Sequence, residues 1–302
     1  MRVTDQQIFS STQYDVLNAR DRFYQKQRTV ASGRNINAPS EDPMGMRNIM
    51  ACEHSLACIE MYERNISYGM SRIKTAEDSL ALCDEALSEA RKVAFSQNSQ
   101  HFDQGTRDAA IRLVEELYDQ MMDMANTRLG ENFIFAGHNS RTKPFARDDD
   151  YNITSLADDG KVGLRISEQN IVNLNADGEQ IFQIDDPGGG PPISMFDMLR
   201  DLRSALQNDD QAGIRTQIDH LADAQYQLQT VRAVNNAQYK HLEMTERHHA
   251  KVKANVESNL ADIQKADMTT AVLELQMEQT AYEAALVAAS KIFQQSLLDF
   301  LR

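Results

Sequence analysis

Stepping by seven residues from Cys52 meets Ile59, Ile66, Ile73, Leu80, Leu87 and Ala94, while the positions between them, Tyr62, Gly69, Ala76, Cys83 and Ala90, are mostly small. A heptad seam with large residues facing small ones predicts a long helix packed closely against antiparallel neighbours. A third helix over 106–127 presents Ala110, Leu113, Leu117, Met121 and Met124 on one face. Ser194, with Asp197 three residues later, resembles a capping box and opens a segment holding Phe196, Leu199 and Leu206. The final run keeps one heptad phase through Ile214, Leu221, Leu228, Asn235, Leu242, His249, Val256, Ile263, Thr270, Met277 and Ala284, with Ala224, Val231, Val252, Ala266, Leu273 and Val287 interleaved. Asn235, His249, Thr270 and Lys291 interrupt that seam, as expected of a helix whose neighbours change along its length. The first 32 residues carry a thinner heptad of Phe9, Thr12, Val16, Ala19, Phe23, Lys26 and Val30. Neither end offers enough apolar surface to offset its ordering entropy alone, so both are expected to order on each other and on further subunits.

Glycine and proline mark the breaks. None occurs before Gly33, and a cluster then runs through Pro39, Pro43 and Gly45. Residues 130–192 hold four of the 6 prolines and eight of the 13 glycines. Residues 214–302 contain neither, a stretch of 89 residues. As one helix it would run ~130 Å at 1.5 Å per residue. The broken middle zone reads as β structure: Phe133 to Gly137 as a strand, Val162, Leu164 and Ile166 alternating with polar residues, and Ile171–Leu174 with Ile181–Ile184 as a hairpin about Asp177-Gly178. Ten Asp/Glu against three Lys/Arg fall between Arg147 and Asp186, so this insertion is acidic and is expected to protrude sideways. The fold expected is therefore mainly α: an elongated helical rod with N- and C-terminal helices paired as a coiled coil, plus a small inserted β-rich domain. The division expected is 1–45 with 255–302, 46–132 with 193–254, and 133–192.

Charge narrows the function. With 45 Asp+Glu against 31 Lys+Arg the net charge is −14, which argues against nucleic acid and anionic membrane as partners. The purely apolar runs are too short to span a bilayer, and the first residues lack a hydrophobic signal core. Cys52, Cys58 and Cys83 do not form a disulfide framework and are expected to be small buried or half-buried apolar residues. Asp148-Asp149-Asp150 and Asp158-Asp159 lack the spacing of a calcium loop. His220, His241, His248 and His249 lack the i,i+3 or i,i+4 spacing of a helical metal site. Gly188-Gly189-Gly190 precedes two prolines, whose missing N–H groups suit no phosphate cradle. The methionines at 121, 122 and 124 sit at helical spacing and read as core. No catalytic, cofactor or metal constellation emerges, and a structural role is expected rather than catalysis.

The punctuation does match a known pattern. Residues Ala31-Ser32-Gly33-Arg34-Asn35-Ile36-Asn37-Ala38-Pro39-Ser40-Glu41-Asp42-Pro43 resemble the "SSGKRINxPSDDP" segment of the flagellin superfamily, in the version carried by flagellar hook-associated protein 3; Glu41 replaces the usual Asp. Asn65-Ile66 with Thr75-Ala76-Glu77-Asp78-Ser79-Leu80 is similar to its "NI…T-x-E-x-x-L" helix. Ala125-Asn126-Thr127, then Phe133-Ile134-Phe135-Ala136-Gly137 and Lys143-Pro144-Phe145, is similar to "AN…YLFaG…PF". The chain also ends on a family-like Ser296-Leu297-Leu298-Asp299-Phe300-Leu301.

The resemblance implies a secreted structural subunit of the flagellar hook–filament junction, a homo-oligomer in a short helical tube or ring. It implies export through the flagellar type III channel with a chaperone at the C-terminal helix, and contacts with hook-associated protein 1 and flagellin. Within that picture Phe9, Val16, Phe23, Val30, Ile263, Leu273, Met277, Ala284, Val287 and Leu298 would line the inner coiled coil and its subunit contacts. Gly33, Arg34, Asn37, Pro39, Asp42 and Pro43 would form the turn between inner and outer segments. Ile59, Ile66, Ile73, Leu80, Leu87, Leu117, Leu221 and Leu228 would form the core of the outer rod. The rivals are a flagellin-type filament subunit and a cytoplasmic coiled-coil regulatory protein. Flagellins usually carry a "DDAAG"-like segment after "RIN", where this chain has Ser40-Glu41-Asp42-Pro43-Met44-Gly45.

Overall fold

A computed structural model describes residues 2–98, 104–157, 160–174, 178–185 and 190–300, with the side chains of 2–6, 8, 162 and 293–300 outside that description. The elements run α1 (Arg2–Ser32), α2 (Pro43–Gln97), α3 (Gln104–Ala125), β1 (Arg128–Leu129), β2 (Asn132–Phe133), β3 (Phe145–Arg147), β4 (Ile153–Ser155), β5 (Val162–Arg165), β6 (Ile171–Leu174), α4 (Gly178–Ile181), β7 (Gln183–Ile184), β8 (Ile193–Ser194), α5 (Met195–Gln207), α6 (Gln211–Gln264) and α7 (Met268–Phe300). The fold is mainly helical, and among the described residues its strands form four separate antiparallel pairs, β1–β2, β3–β4, β5–β6 and β7–β8. Two compact units emerge, one of residues 1–58 with 251–302 and one of 59–250.

In the larger unit the heptad of α2 is buried throughout, with Ile66, Leu80, Cys83, Leu87, Ala90 and Ala94 fully enclosed. Burial pushes the Cys83 thiol up to about 12, and Cys52 and Cys58 are half-buried and free. Helix α3 buries Ala110, Val114, Leu117, Tyr118, Met121 and Met122. Helix α5 starts where Ser194 accepts a hydrogen bond from the Phe196 N–H. Asp197 pairs with Arg200 at 2.6 Å, so Ser194 caps the helix while Asp197 serves an ion pair within it.

The β segments are not an outlying insertion. Phe135, Phe145, Phe182 and Phe196 meet with ring centroids 5.4–5.6 Å apart and belong to the same hydrophobic core as α2, α3, α5 and α6. The strand expected over 133–137 is shorter, because Ile134 and Phe135 leave the ladder to become fully buried. Tyr151, with φ 62°, lies against the guanidinium groups of Arg147 and Arg203, each 4.6 Å from its ring centre.

The hairpin expected about Asp177-Gly178 does not form. Ile171–Leu174 pairs instead with Val162–Arg165, in a register that sets Val162 opposite Leu174 and Leu164 opposite Val172. Gly178 is buried, and a Cβ there would lie 2.3 Å from the Phe135 carbonyl oxygen. Its lack of a side chain serves close approach to the aromatic core. Residues 175–177 of the expected turn, Asp158-Asp159, and 186–189 ahead of Gly190 lie outside the described residues.

The β5–β6 hairpin lies on α2 and α6, where Ile166, Val172 and Leu174 pack with Ile66, Ile73 and Leu242. Three polar ties hold it: Asn65 Nδ2 donates to the Arg165 carbonyl at 2.8 Å, Gln238 Nε2 to the Asn173 carbonyl at 3.3 Å, and His249 Nε2 to the Ile166 carbonyl at 2.7 Å. A carbonyl only accepts, so His249 carries its proton on Nε2. Its ring stacks on Tyr62 at 5.7 Å. The polar interruption at His249 is thus where the neighbour of α6 becomes a hairpin loop.

In the smaller unit α1 pairs with α7. Helix α1 ends at Gly33, whose φ of 67° lies in the left-handed region that glycine enters at least cost and whose N–H donates to the Thr29 carbonyl. The 89-residue run is two helices, not one. Its break at Lys265–Asp267 needs no glycine or proline, because an antiparallel bridge pairs Arg34 with Lys265. Asn35 N–H donates to the Gln264 carbonyl at 2.7 Å, and Ala266 N–H to the Gly33 carbonyl at 3.0 Å. Asp267 then starts α7, with Oδ1 accepting from Thr269 N–H at 2.9 Å and Oδ2 from the Thr270 hydroxyl at 3.0 Å.

Candidate assembly surface

The turn after α1 is clasped rather than loose. Asp42 Oδ1 accepts from the Met44 and Gly45 N–H groups, at 3.0 and 2.9 Å, and Pro43 takes the first position of α2, where its missing N–H costs nothing. Glu41 Oε2 accepts from the Asn37 and Ala38 N–H groups, and Asn37 Nδ2 donates to the Arg34 carbonyl. Ile36 is buried, and a Cβ on Gly45 would come within 2.4 Å of its Cδ1. Five of the six turn residues therefore have definite work in the chain reversal, whereas Pro39 is exposed within it.

On α1 the expected heptad positions Thr12, Val16, Ala19, Phe23, Lys26 and Val30 are all shielded, and Asn18, Arg20 and Thr29 beside them are shielded as well, Thr29 being buried. Phe9, one turn further out, is 51% exposed. On α7 Ala271, Leu275, Glu278, Tyr282, Ala285, Ala289 and Ile292 are shielded, with Glu274 half-buried beside Leu275. They run in steps of four and three, as a two-helix seam requires. Cross-helix ion pairs flank it: Arg22 with Glu278 at 3.2 Å and Lys26 with Glu274 at 2.6 Å.

This seam differs from the one expected. A phase carried through Ile263 arrives at Thr270, Met277 and Ala284, but the interruption at Lys265–Asp267 shifts it by one residue to Ala271, Glu278 and Ala285. One residue is about 100° of helix. Leu273, Met277, Ala284 and Val287 consequently do not face α1; Leu273, Met277 and Val287 are 58%, 72% and 54% exposed, and Ala284 is exposed as well. The side chain of Leu298 is outside the description. Ile263 is half-buried on α6. The residues that sequence reasoning missed are Leu275, Tyr282 and Ala285, and the signal for them was Asp267 followed by Thr269 and Thr270, a helix start at which counting must begin again.

The outcome is an unpartnered apolar face along α7. Leu273, Met277 and Ala284 continue through Ala281 and Ala288 to Val287 along shallow grooves. The electrostatics favour the same unit for contact. Residues 1–58 with 251–302 carry 12 Lys/Arg against 13 Asp/Glu, and 59–250 carry 19 against 32. Nearly all the net negative charge thus sits in the larger unit, and the smaller one is close to neutral.

The residues expected in the rod core are buried in the larger unit: Ile59, Ile66, Ile73, Leu80, Leu87, Leu117, Leu221 and Leu228. Among the described residues, no three His, Cys, Asp or Glu side chains converge as a metal site, and no helix is long and apolar enough to cross a membrane.

This mainly helical chain, with its β segments packed on a helical body, resembles known proteins over part of its length. Residues 3–140 match the family described as the bacterial flagellin N-terminal helical region, somewhat under half of the 302 residues. No curated protein sequence matches the chain. Among solved structures, a protein provisionally assigned as a flagellar hook-associated protein from Vibrio parahaemolyticus aligns at TM-score 0.68 and 16% identity, over 74% of this chain and 100% of its own. Flagellar hook-associated protein-3 from Legionella pneumophila aligns at 0.63 and 13%, over 71% and 98%. The flagellar junction protein FlgL from the same organism aligns at 0.58 and 13%, over 71% and 100%. At these identities the likeness is one of fold.

Proposed function

We propose that the chain is a structural subunit of the bacterial flagellum, placed where the hook meets the filament. The observation that carries the reading is the joint occurrence of a hook-associated-protein fold, matched over 98–100% of those chains, and an α7 face left apolar and exposed. A monomeric role gives that face no purpose. Its occupant is the α1–α7 pair of a second copy. Copies meeting through the near-neutral unit avoid the repulsion that two surfaces of the larger unit would impose.

In this reading 1–45 with 255–302 form the inner, assembly-forming part of a ring or short helical tube. The subunit leaves the cell by the flagellar type III route, escorted by a chaperone on its C-terminal helix. It meets hook-associated protein 1 on one side and flagellin on the other, and seeds filament growth with the former.

The test is to delete the gene, image the cell surface by electron microscopy and assay the medium for flagellin. Bare hooks with flagellin shed into the medium are expected. Hooks still bearing filaments would overturn the junction role and favour a filament subunit.

A further inference from the structure

Met277 is 72% exposed, more than Met244 at 68%, Met50 at 62%, Met44 at 60%, Met268 at 45% or Met61 at 39%. It stands at the middle of the α7 face, bordered by Leu273, Gln276, Thr280, Ala281 and Ala284. None of these carries a charge, and none can shield the thioether from a small oxidant. The nearest acidic residue along the helix, Glu278, is turned to Arg22 on α1. Thioether oxidation follows exposure, and its product is polar and chiral where the parent is flexible and apolar.

We propose that Met277 is a peroxide-sensitive modification site whose oxidation blocks self-association through the α7 face; this rests on the assembly reading above. A sulfur lone pair attacks one oxygen of a hydroperoxide, the O–O bond breaks, and the second oxygen departs as water or alcohol after taking up a proton. Sulfur loses two electrons to become the sulfoxide, and the peroxide is reduced by the same two. The new oxygen is a strong acceptor directed from a surface that must become dry when a second copy packs on it. A buried acceptor without a partner weakens association by about tenfold or more. Once assembled, the same packing shields the sulfur, so sensitivity belongs to the free subunit. A methionine sulfoxide reductase with a thiol reductant reverses the change.

The full-length chain is treated with hydrogen peroxide, its sulfoxides are mapped by peptide mass spectrometry, and self-association is followed by sedimentation velocity. Each variant is compared with its own untreated sample. Met277 sulfoxide is expected to form earliest, and treatment to raise the association midpoint of the wild type about tenfold. Reductase restores that midpoint. The treated-to-untreated ratio stays near one for Met277→Leu, while Met244→Leu keeps the wild-type response. Equal loss in Met277→Leu and wild type, or slow oxidation of Met277 relative to Met244, overturns the proposal. Self-association absent before treatment, or indifferent to Met277→Asp, overturns the assembly reading instead.

Discussion

The rings of Phe23 and Tyr282 lie nearly parallel, their centroids 6.0 Å apart and their planes inclined by 11°. They meet across the α1–α7 seam, and the ion pairs of Arg22 and Lys26 lie to either side of Phe23 along α1. Both rings are half-buried, so Tyr282→Ala is expected to destabilise the terminal helix pair by about 2 kcal/mol. Thermal melting by circular dichroism, with proteolysis of the ends as a local probe, measures it. An unchanged protease pattern would mean the two helices are held by something other than this seam.

Helix α7 depends on Asp267 for its start. Hydrogen bonds from Thr270 and Thr269 hold its carboxyl below the usual range. A folded-state value depressed below the unfolded one gives stability that is present above about 3.9 and lost as pH falls through the lowered value. Asp267→Ala is expected to lower the melting temperature at neutral pH. Asp267→Asn keeps a good cap without the titration, so the gap between Asp267→Ala and wild type should shrink on acidification while Asp267→Asn keeps its own.

How far the sequence foretells the fold differs between elements. Cys52 to Ala94 could be read because large and small residues alternate at a constant seven, and nothing interrupts α2. The α1 heptad could be read for the same reason. On α7 the period was right and the phase wrong, since the break at Lys265–Asp267 is made by bonds from Gly33 and Asn35, more than 200 residues away in sequence. Gly178 looked like a hairpin turn because Asp-Gly is a strong local signal. Its real constraint, the Phe135 carbonyl, is tertiary and invisible locally. The exposed apolar face of α7 is hidden by the same slip, since an unbroken phase puts Leu273 and Met277 inside the pair they lie outside.

Two glycines of the larger unit should differ in tolerance. A Cβ at Gly69 meets Leu164 Cδ2 at 2.8 Å and Leu242 Cδ1 at 3.1 Å, both ends of side chains that can rotate. A Cβ at Gly178 meets a backbone oxygen at 2.3 Å. Gly178→Ala is expected to cost about 3 kcal/mol and Gly69→Ala about 1. Urea denaturation ranks them, and the reverse order would mean the Phe135 segment yields more readily than the hairpin.

The three thiols should also separate. Cys83 is fully buried and its thiol is pushed up to about 12 by burial, with Asp84 adding to the rise. Thiolate is the reactive form, so alkylation of the native protein at mildly alkaline pH should reach Cys52 and Cys58 and spare Cys83. Denaturant should release the third. Three labels in the native state would show that the centre of α2 opens readily.

Leu275 and Met277 stand two residues apart on α7 and, by the seam described above, on different faces: one shielded by α1, the other open. A carboxylate introduced at each distinguishes folding from assembly. Leu275→Asp puts a charge into the α1–α7 seam and is expected to cost the terminal pair about 2–3 kcal/mol, read as lost helicity and rapid proteolysis of both ends. Met277→Asp stays in water in the free subunit, and its melting temperature should move little. In the proposed assembly the same carboxylate would be buried against a second copy, so Met277→Asp should fold, leave the larger unit intact and fail to form junctions in complemented cells. Junctions formed by Met277→Asp would remove the α7 face from the assembly. A Met277→Asp chain as protease-sensitive as Leu275→Asp would place Met277 back in the intramolecular seam, in the phase that runs on from Ile263.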